Sequence, residues 1–141
     1  MSIKVFDVPE ISDSTQSYDT AYRPSIRWDA GLGDFVRDGT NRLVECDGKE
    51  AYRTWCLKMA MTERYHCLAY PDAIGVEMED ALKEPDDKAV QSAIERTITE
   101  ALMVNPRTEY VRDFLFSGDG DTLHVRCTVK GIDTDSFEIE I

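Results

Sequence analysis

Carboxylates are the most frequent side chains in this sequence that could do chemistry, and a suitably placed pair could hydrolyse a glycosidic bond. The chain has 28 acids against 16 bases, a formal net charge of −12. Glycosidases need two carboxyl groups about 5 to 9.5 Å apart, one of them in an apolar pocket that raises its pKa. Glu63 and Asp72 are the best candidates, but among so many acids some pair can always be proposed. A muramidase-like glycosidase is therefore kept as an alternative hypothesis, and the sequence predicts no catalytic residue.

Histidine and cysteine could instead bind zinc through His66, Cys67, His124 and Cys127. His124 and Cys127 are three residues apart on a predicted strand, so their side chains point to opposite faces and cannot chelate one ion. The four cysteines are widely spaced, with no Cys-x-x-Cys pair. We therefore expect no metal site and no cofactor, and we interpret the cysteines as reduced, partly buried small hydrophobes.

The charge of the chain bears on the class of its partners. A surface with a net charge of −12 repels phosphate backbones and anionic membrane surfaces. The sequence has no run of about 18 apolar residues and no readable secretory signal, so we expect a protein that is made and folded in a cytoplasm. These features predict no nucleic-acid or membrane partner, and they leave proteins with basic patches open. We also expect no small-molecule substrate.

Apolar residues recur with two different periods in residues 88–141, one typical of a helix and one typical of strands. From 88 to 104, apolar residues recur at the three- and four-residue spacing of one buried helical stripe, and Asp86 or Asp87 can cap the helix. After Pro106 the period changes to two, which predicts a meander of three strands with a turn at 131–136. A helix and a meander with one apolar face each can bury one another. The predicted core residues are Trp55, Ile94, Ile98, Leu102, Val125 and Phe137.

Preceding segments complete the predicted domain. A helix over residues 49–64 follows Asp47, which can form a capping box with Glu50. A short helix is predicted within residues 73–82, after Gly75. Residues 1–25 are polar and lack a sustained period, so we expect an extended N-terminal arm followed by one domain over residues 26–141. The predicted class is α+β, with helices packed on one face of a small, mostly antiparallel sheet.

Four features resemble the contractile-tail baseplate family. They are the aromatic-bearing helix ending in Thr62-Glu63-Arg64, the Tyr-x-x-x-x-Gly segment of residues 70–75, the long helix running into Asn105-Pro106-Arg107, and the closing meander. This family comprises the phage wedge proteins once labelled lysozyme-like, GpW-type proteins, TssE of type VI secretion and XkdS-like proteins. The chain is most similar to the XkdS-like branch of phages and defective prophages. The family's Glu-Pro-Arg motif stands here with Asn105 in place of the glutamate.

The resemblance implies structural work in a virion tail baseplate that is assembled in the host cytoplasm, and no enzymatic activity. Its implied partners are other baseplate wedge proteins and tail sheath subunits, the latter added as strands to this chain's sheet. The implied partner-binding residues are Asn105, Pro106 and Arg107 in the turn. On the last strand they are Glu138 and Glu140, because a strand at a sheet edge is a template for strand addition. A generic acidic cytoplasmic adaptor remains a further alternative.

Overall fold

The computed structural model describes residues 22–141, which form an α+β fold. In chain order its elements are β1 (Ser25–Ile26), β2 (Trp28–Asp29), β3 (Asp34–Phe35), β4 (Glu45–Cys46), α1 (Gly48–Met61), α2 (Met78–Ala81), α3 (Asp87–Met103), β5 (Thr108–Asp119), β6 (Thr122–Gly131) and β7 (Phe137–Glu140). The predicted fold class and C-terminal meander are confirmed. Residues 1–21 of the predicted arm lie outside the described residues, so that assignment stays a prediction.

α3 supplies the central part of the core. Asp86 caps it, because its carboxylate accepts the Ala89 N–H at 3.0 Å, and the helix ends at Met103, shortly before Pro106. Its inward stripe is buried as the periodicity predicts, and it consists of Ala93, Ile94, Thr97, Ile98, Ala101 and Leu102. No helix within residues 22–141 combines the length and the apolar character needed to cross a bilayer.

The meander is an antiparallel sheet with the strand order β5-β6-β7. Alternate side chains of β6 and β7 point to the helices and are buried, namely Val125, Cys127, Val129, Phe137 and Ile139. α1 packs against α3 and β7, while α3 packs against β5. The helices thus cover one face of the sheet, and the opposite face, which includes Arg126, Glu138 and Glu140, is exposed.

The aromatic residue that α1 buries most deeply is Tyr52 rather than Trp55. Tyr52 is 2% exposed, and its hydroxyl is 2.6 Å from the Thr108 hydroxyl. Trp55 is half-buried and its ring is stacked on Tyr52, with 6.2 Å between centroids. The predicted core is therefore confirmed for Ile94, Ile98, Leu102, Val125 and Phe137. Trp55 packs at the core's margin, because Tyr52 occupies the position facing the sheet.

The predicted capping box at the start of α1 is wrong. Asp47 occupies the N-cap position but makes no side-chain capping hydrogen bond. Glu50, its expected partner residue, instead pairs with Arg27, with 2.8 Å between Oε1 and Nε. The chain between β1 and β2 brings the Arg27 guanidinium to Glu50, and an ion pair with a guanidinium replaces the bond to the backbone.

The helix predicted within residues 73–82 is shorter than expected, because only Met78–Ala81 is helical. Gly75 has φ +98°, outside the helical region, and a Cβ there would lie 2.5 Å from the Thr62 carbonyl oxygen. Val76 then donates its N–H to that same oxygen at 2.9 Å. The close passage of residues 75–76 along the end of α1 therefore delays the helix until Met78.

Candidate partner-binding surfaces

β7 is an edge of the sheet, as predicted. It pairs with β6 on one side, and no other strand within residues 22–141 pairs with its outer side. In the register, Glu140 lies opposite Arg126 and Glu138 opposite Thr128. One step beyond β7, Ile141 and Val125 exchange both backbone hydrogen bonds, at 2.9 and 3.0 Å.

That exchange fixes the direction of every backbone group along β7. Hydrogen-bonded and non-hydrogen-bonded pairs alternate in an antiparallel ladder. Since Ile141 is a hydrogen-bonded residue, Ile139 and Phe137 are as well, and their backbone groups point to β6. The N–H and C=O groups of Glu138 and Glu140 therefore point away from β6, toward the outer side of the edge.

The two glutamates of β7 differ in their side-chain surroundings. Both lie on the exposed face of the sheet. The Glu140 carboxylate pairs across the strands with Arg126 at 3.2 Å and approaches His124 Nδ1 at 3.6 Å. No cation within residues 22–141 forms an ion pair with Glu138. Glu138 thus offers an uncompensated negative charge beside the outward backbone groups, whereas the charge of Glu140 is partly neutralised.

The opposite edge of the sheet, β5, is irregular. Its register with β6 shifts between Arg112 and Leu115, where Asp113 has φ +58°. A second shift falls between Thr108 and Tyr110. Bulges of this kind interrupt the row of backbone groups that an incoming strand would need, and they are a common protection of exposed edges. β7 therefore keeps one register along its whole length, whereas β5 is regular only between its shifts, with residues 115–119 as the longest uninterrupted stretch.

The Asn105-Pro106-Arg107 turn joins α3 to β5 and is held by its own hydrogen bonds. The Asn105 Oδ1 accepts the Arg107 N–H at 3.0 Å, and the Asn105 carbonyl accepts the Thr108 N–H at 3.0 Å. The Arg107 carbonyl accepts the Ile132 N–H at 2.8 Å, which ties the turn to the loop after β6. The amide at position 105 thus stabilises the turn itself, and the half-buried Arg107 lines a cleft.

This cleft has a volume of about 500 Å³ and lies between α1, the chain entering β1 and the 105–107 turn. Its described lining consists of Tyr22, Arg23, Pro24, Ser25, Ala51, Tyr52, Trp55, Lys58, Asn105 and Arg107. Three of these residues are cationic, and no carboxylate is among them, although the chain as a whole has a net charge of −12. We define these residues as the cationic cleft. It offers positive charge beside the apolar ring of Trp55, a combination that suits an acidic protein segment.

The sequence analysis did not include Lys58 and Arg23 among the partner-binding residues. Only Lys58 could have been related to the cleft by its spacing in the sequence. Lys58 follows Trp55 by three residues, so the two share a helical face, and its ammonium lies 4.7 Å from the Phe35 ring centroid. Arg23 is 35 positions before Lys58, and no periodicity in the sequence relates them. The cleft appears only when α1 packs beside the start of β1.

Two of the residues considered for catalysis or zinc binding, Glu63 and Cys127, stabilise the fold. The Glu63 carboxylate accepts the N–H groups of Met78 and Glu79 at 3.2 and 3.3 Å, so it caps α2, and Asp72 is exposed. The His124 side chain lies on the exposed face of the sheet, and Cys127 is fully buried on the other, as their spacing predicts.

All four cysteines are free thiols, and three of them are buried. Burial raises the pKa of Cys56 and of Cys127 to about 12, so both thiols stay protonated at neutral pH and act as core hydrophobes. The predicted burial is confirmed for Cys46, Cys56 and Cys127. Cys67 departs from the expected burial, because it lies in the exposed loop between α1 and α2.

Comparison with known proteins agrees with this arrangement of helix, turn and meander. The family model described as contractile injection system sheath initiator matches residues 24–134. The phage-like element PBSX protein XkdS of Bacillus subtilis (strain 168) is 36% identical over 103 residues, which cover 72% of this chain and 71% of that protein. The match spans β1 to the loop after β6, and it includes the 105–107 turn and all of the cationic cleft except Tyr22 and Arg23. The chain therefore belongs to the contractile injection system sheath initiator family.

Proposed function

We propose that this chain sits in the inner baseplate and starts the sheath by accepting a strand from the first sheath subunit on the outer side of β7. Membership of the family makes the chain a structural component of a contractile tail-like particle that interacts with other tail components such as the sheath. The observation that carries the finer proposal is the outward direction of the N–H and C=O groups of Glu138 and Glu140.

Strand addition uses the part of the edge that the fold leaves regular. An antiparallel or parallel partner strand would bind the outward groups of Glu138 and Glu140, and backbone hydrogen bonds would supply much of the affinity. The carboxylate of Glu138 favours an incoming strand with lysine or arginine and disfavours an acidic one. The same carboxylate also reduces pairing between two copies of β7, since like charges would face one another.

The second half of the proposal assigns the wedge contact to the 105–107 turn and the cationic cleft. Arg107 reaches the cleft from a turn whose backbone is held by Asn105 Oδ1 and by the Ile132 N–H. A fixed backbone positions the guanidinium at the cleft, where its positive charge attracts a carboxylate. Arg23 and Lys58 add charge of the same sign. An acidic wedge segment is the partner that fits this cleft.

The proposal is tested by removing the gene for this chain from its tail cluster and examining the resulting particles by negative-stain electron microscopy. The expected result is the absence of sheathed tails, with sheath subunits left unassembled or assembled away from baseplates. Restoring the gene in trans should restore sheathed tails. Sheaths of normal length on normal baseplates in the deletion strain would contradict the proposal.

Replacing Arg107 by alanine is expected to weaken attachment to the wedge. The hydrogen bonds that hold the turn involve the backbone of Arg107, and alanine keeps them. Loss of about 1.4 kcal/mol from a charge-assisted contact lowers affinity tenfold. We expect about tenfold less of this chain in purified baseplates, measured by quantitative mass spectrometry.

Arg107→Lys is the matched control, since it keeps the charge and loses the bidentate geometry. It should give an intermediate amount of bound chain. If baseplates contain as much of the alanine variant as of the wild-type chain, Arg107 does not take part in the proposed contact.

A further inference from the structure

The loop between α1 and α2 has an unusual surface. Residues 65–73 are all exposed, yet they include several apolar side chains. Leu68 is fully exposed, and Tyr65 and Tyr70 are 61% and 54% exposed. Leucine and tyrosine so close together at one loop are more typical of a protein contact than of a solvated connection. We define residues 65–73 as the apolar loop.

Hydrogen bonds hold both ends of the apolar loop on the core. The Arg64 guanidinium donates from Nε and Nη2 to the Gly75 carbonyl at 3.2 and 3.0 Å. The Arg64 N–H donates to the Val76 carbonyl at 2.8 Å, and the Val76 N–H donates to the Thr62 carbonyl at 2.9 Å. There is no room for a side chain at position 75, because a Cβ there would lie 2.5 Å from the Thr62 carbonyl oxygen. The loop leaves and rejoins the core at a fixed point, which reduces the entropy that a partner must remove on binding.

The loop itself is folded by local turns. The Tyr70 N–H donates to the Cys67 carbonyl at 3.1 Å, and the Ile74 N–H donates to the Pro71 carbonyl at 3.0 Å. Ile74 returns to pack against the core, whereas Leu68 stays at the outside of the turn. Aromatic side chains presented by a constrained backbone are the usual anchors of protein interfaces.

The charge around the loop selects among partners. Residues 65–82 contain Asp72, Glu77, Glu79 and Asp80. Glu77 pairs with Arg64 at 3.7 Å and Asp80 with Lys83 at 3.3 Å, so Asp72 and Glu79 are the two of these acids that no described lysine or arginine pairs with. Glu79 lies beside the loop, since its carboxylate is 3.9 Å from His66 Nε2. A second copy of the chain would bring the same acids to the contact, and nucleic acid or an anionic membrane would be repelled in the same way. A protein surface with an apolar pocket bordered by lysine or arginine would complement both the apolar side chains of the loop and its negative charge.

We propose that the apolar loop is a docking site for such a basic protein surface within the tail particle, separate from β7 and from the cationic cleft. Leu68, Tyr65 and Tyr70 enter the partner's apolar pocket, and Asp72 and Glu79 face its cations. The inference rests on family membership and on the loop's geometry, and it does not require strand addition at β7.

The experiment compares three full-length variants, each expressed with the complete tail cluster. Leu68→Ser removes the outermost apolar side chain, and Asp72→Lys reverses a charge beside it. Leu32→Ser is the matched control, because Leu32 is also a leucine on an exposed turn, at 82% exposure, and lies outside the loop. The readout is the amount of chain per purified particle, with melting temperature of the isolated protein as the check on folding.

We expect tenfold or greater loss of the chain from particles for Leu68→Ser, a several-fold loss for Asp72→Lys and no change for Leu32→Ser. Parental incorporation of Leu68→Ser or of Asp72→Lys would overturn the proposal, as would an equal loss for Leu32→Ser. If either loop variant fails to fold, a photo-crosslinking residue at position 68 replaces it. Crosslinks in particles to a peptide with lysine or arginine beside apolar residues then support the site, and their absence overturns it.

The outcome is distinguishable from a failure of the proposed strand addition. A defect at β7 leaves the chain on the baseplate without a sheath, whereas a defect in the apolar loop removes the chain from the particle. Binding of the purified chain to phosphatidylcholine vesicles that Leu68→Ser abolishes would reassign the loop to a membrane and overturn the protein contact.

Discussion

Sheaths are expected to be missing from particles whose copy of this chain has proline in place of Glu138, although baseplates containing the variant should still form. Proline removes the backbone N–H of residue 138, and that group points to the outer side of β7. An incoming strand would lose a hydrogen bond and meet the proline ring. The inner side of β7 is preserved, because Phe137, Ile139 and Ile141 supply the pairing with β6.

Glu138 is a cleaner position for this test than Glu140. Proline at 140 also removes the outward N–H, but it would delete the ion pair with Arg126 and the contact with His124 as well. Proline at an edge position is tolerated in natural sheets. The isolated Glu138→Pro protein should therefore lose less than about 1 kcal/mol of unfolding free energy, because the removed N–H makes no hydrogen bond to β6.

Glu138→Gln separates the backbone effect from the charge effect. Glutamine keeps the N–H and removes the negative charge, so sheaths should form on this variant, with an altered dependence on salt concentration. Negative-stain microscopy would count sheathed and bare tails for both variants. Sheaths of normal number and length on Glu138→Pro particles would show that the first sheath subunit does not use this edge.

Replacing Ile98 by alanine is expected to cost about 2 to 5 kcal/mol of unfolding free energy. Ile98 lies on the inner face of α3 with no exposed surface, within the cluster formed by α1, α3 and the meander. Alanine leaves an apolar cavity that the surrounding side chains refill only in part. Urea unfolding of the purified chain, followed by circular dichroism, would measure the loss.

Met103→Ala on the same helix is the control, because Met103 is 45% exposed and outside the core cluster. Its cost should stay near or below about half a kcal/mol, as for surface substitutions in general. A loss below half a kcal/mol for Ile98→Ala would mean that the stripe of α3 contributes little to the core and is used for a partner instead.

The parts of the fold that could be predicted are those specified by local period. The stripe of α3 and the alternation along β6 and β7 each follow from spacing within one element, and burial reproduces both. The order of the strands followed from short turns, which place successive strands side by side. The outward direction of Glu138 and Glu140 needed one further fact, the hydrogen-bonded pair of Val125 and Ile141.

The parts that could not be predicted depend on contacts between distant segments. Glu50 does not cap α1 as expected, because its carboxylate pairs with Arg27, which lies 23 positions earlier in the chain. The passage of Gly75 along the end of α1 shortens α2. The cationic cleft collects Arg23, Lys58 and Arg107 from three separate parts of the chain. Each of these outcomes follows from packing, and local spacing relates only Lys58 and Trp55 among the residues involved.

The difference between the two edges of the sheet has a consequence for stoichiometry. β5 is interrupted by register shifts at both ends of residues 108–115, while β7 has a regular row of outward groups. A chain that accepts a strand at β7 alone is monovalent toward strands: it can begin one strand series and cannot bridge two. Under strand addition, the number of copies of this chain in a particle would set the number of subunits in the first sheath ring, and sheath growth would proceed in one direction only.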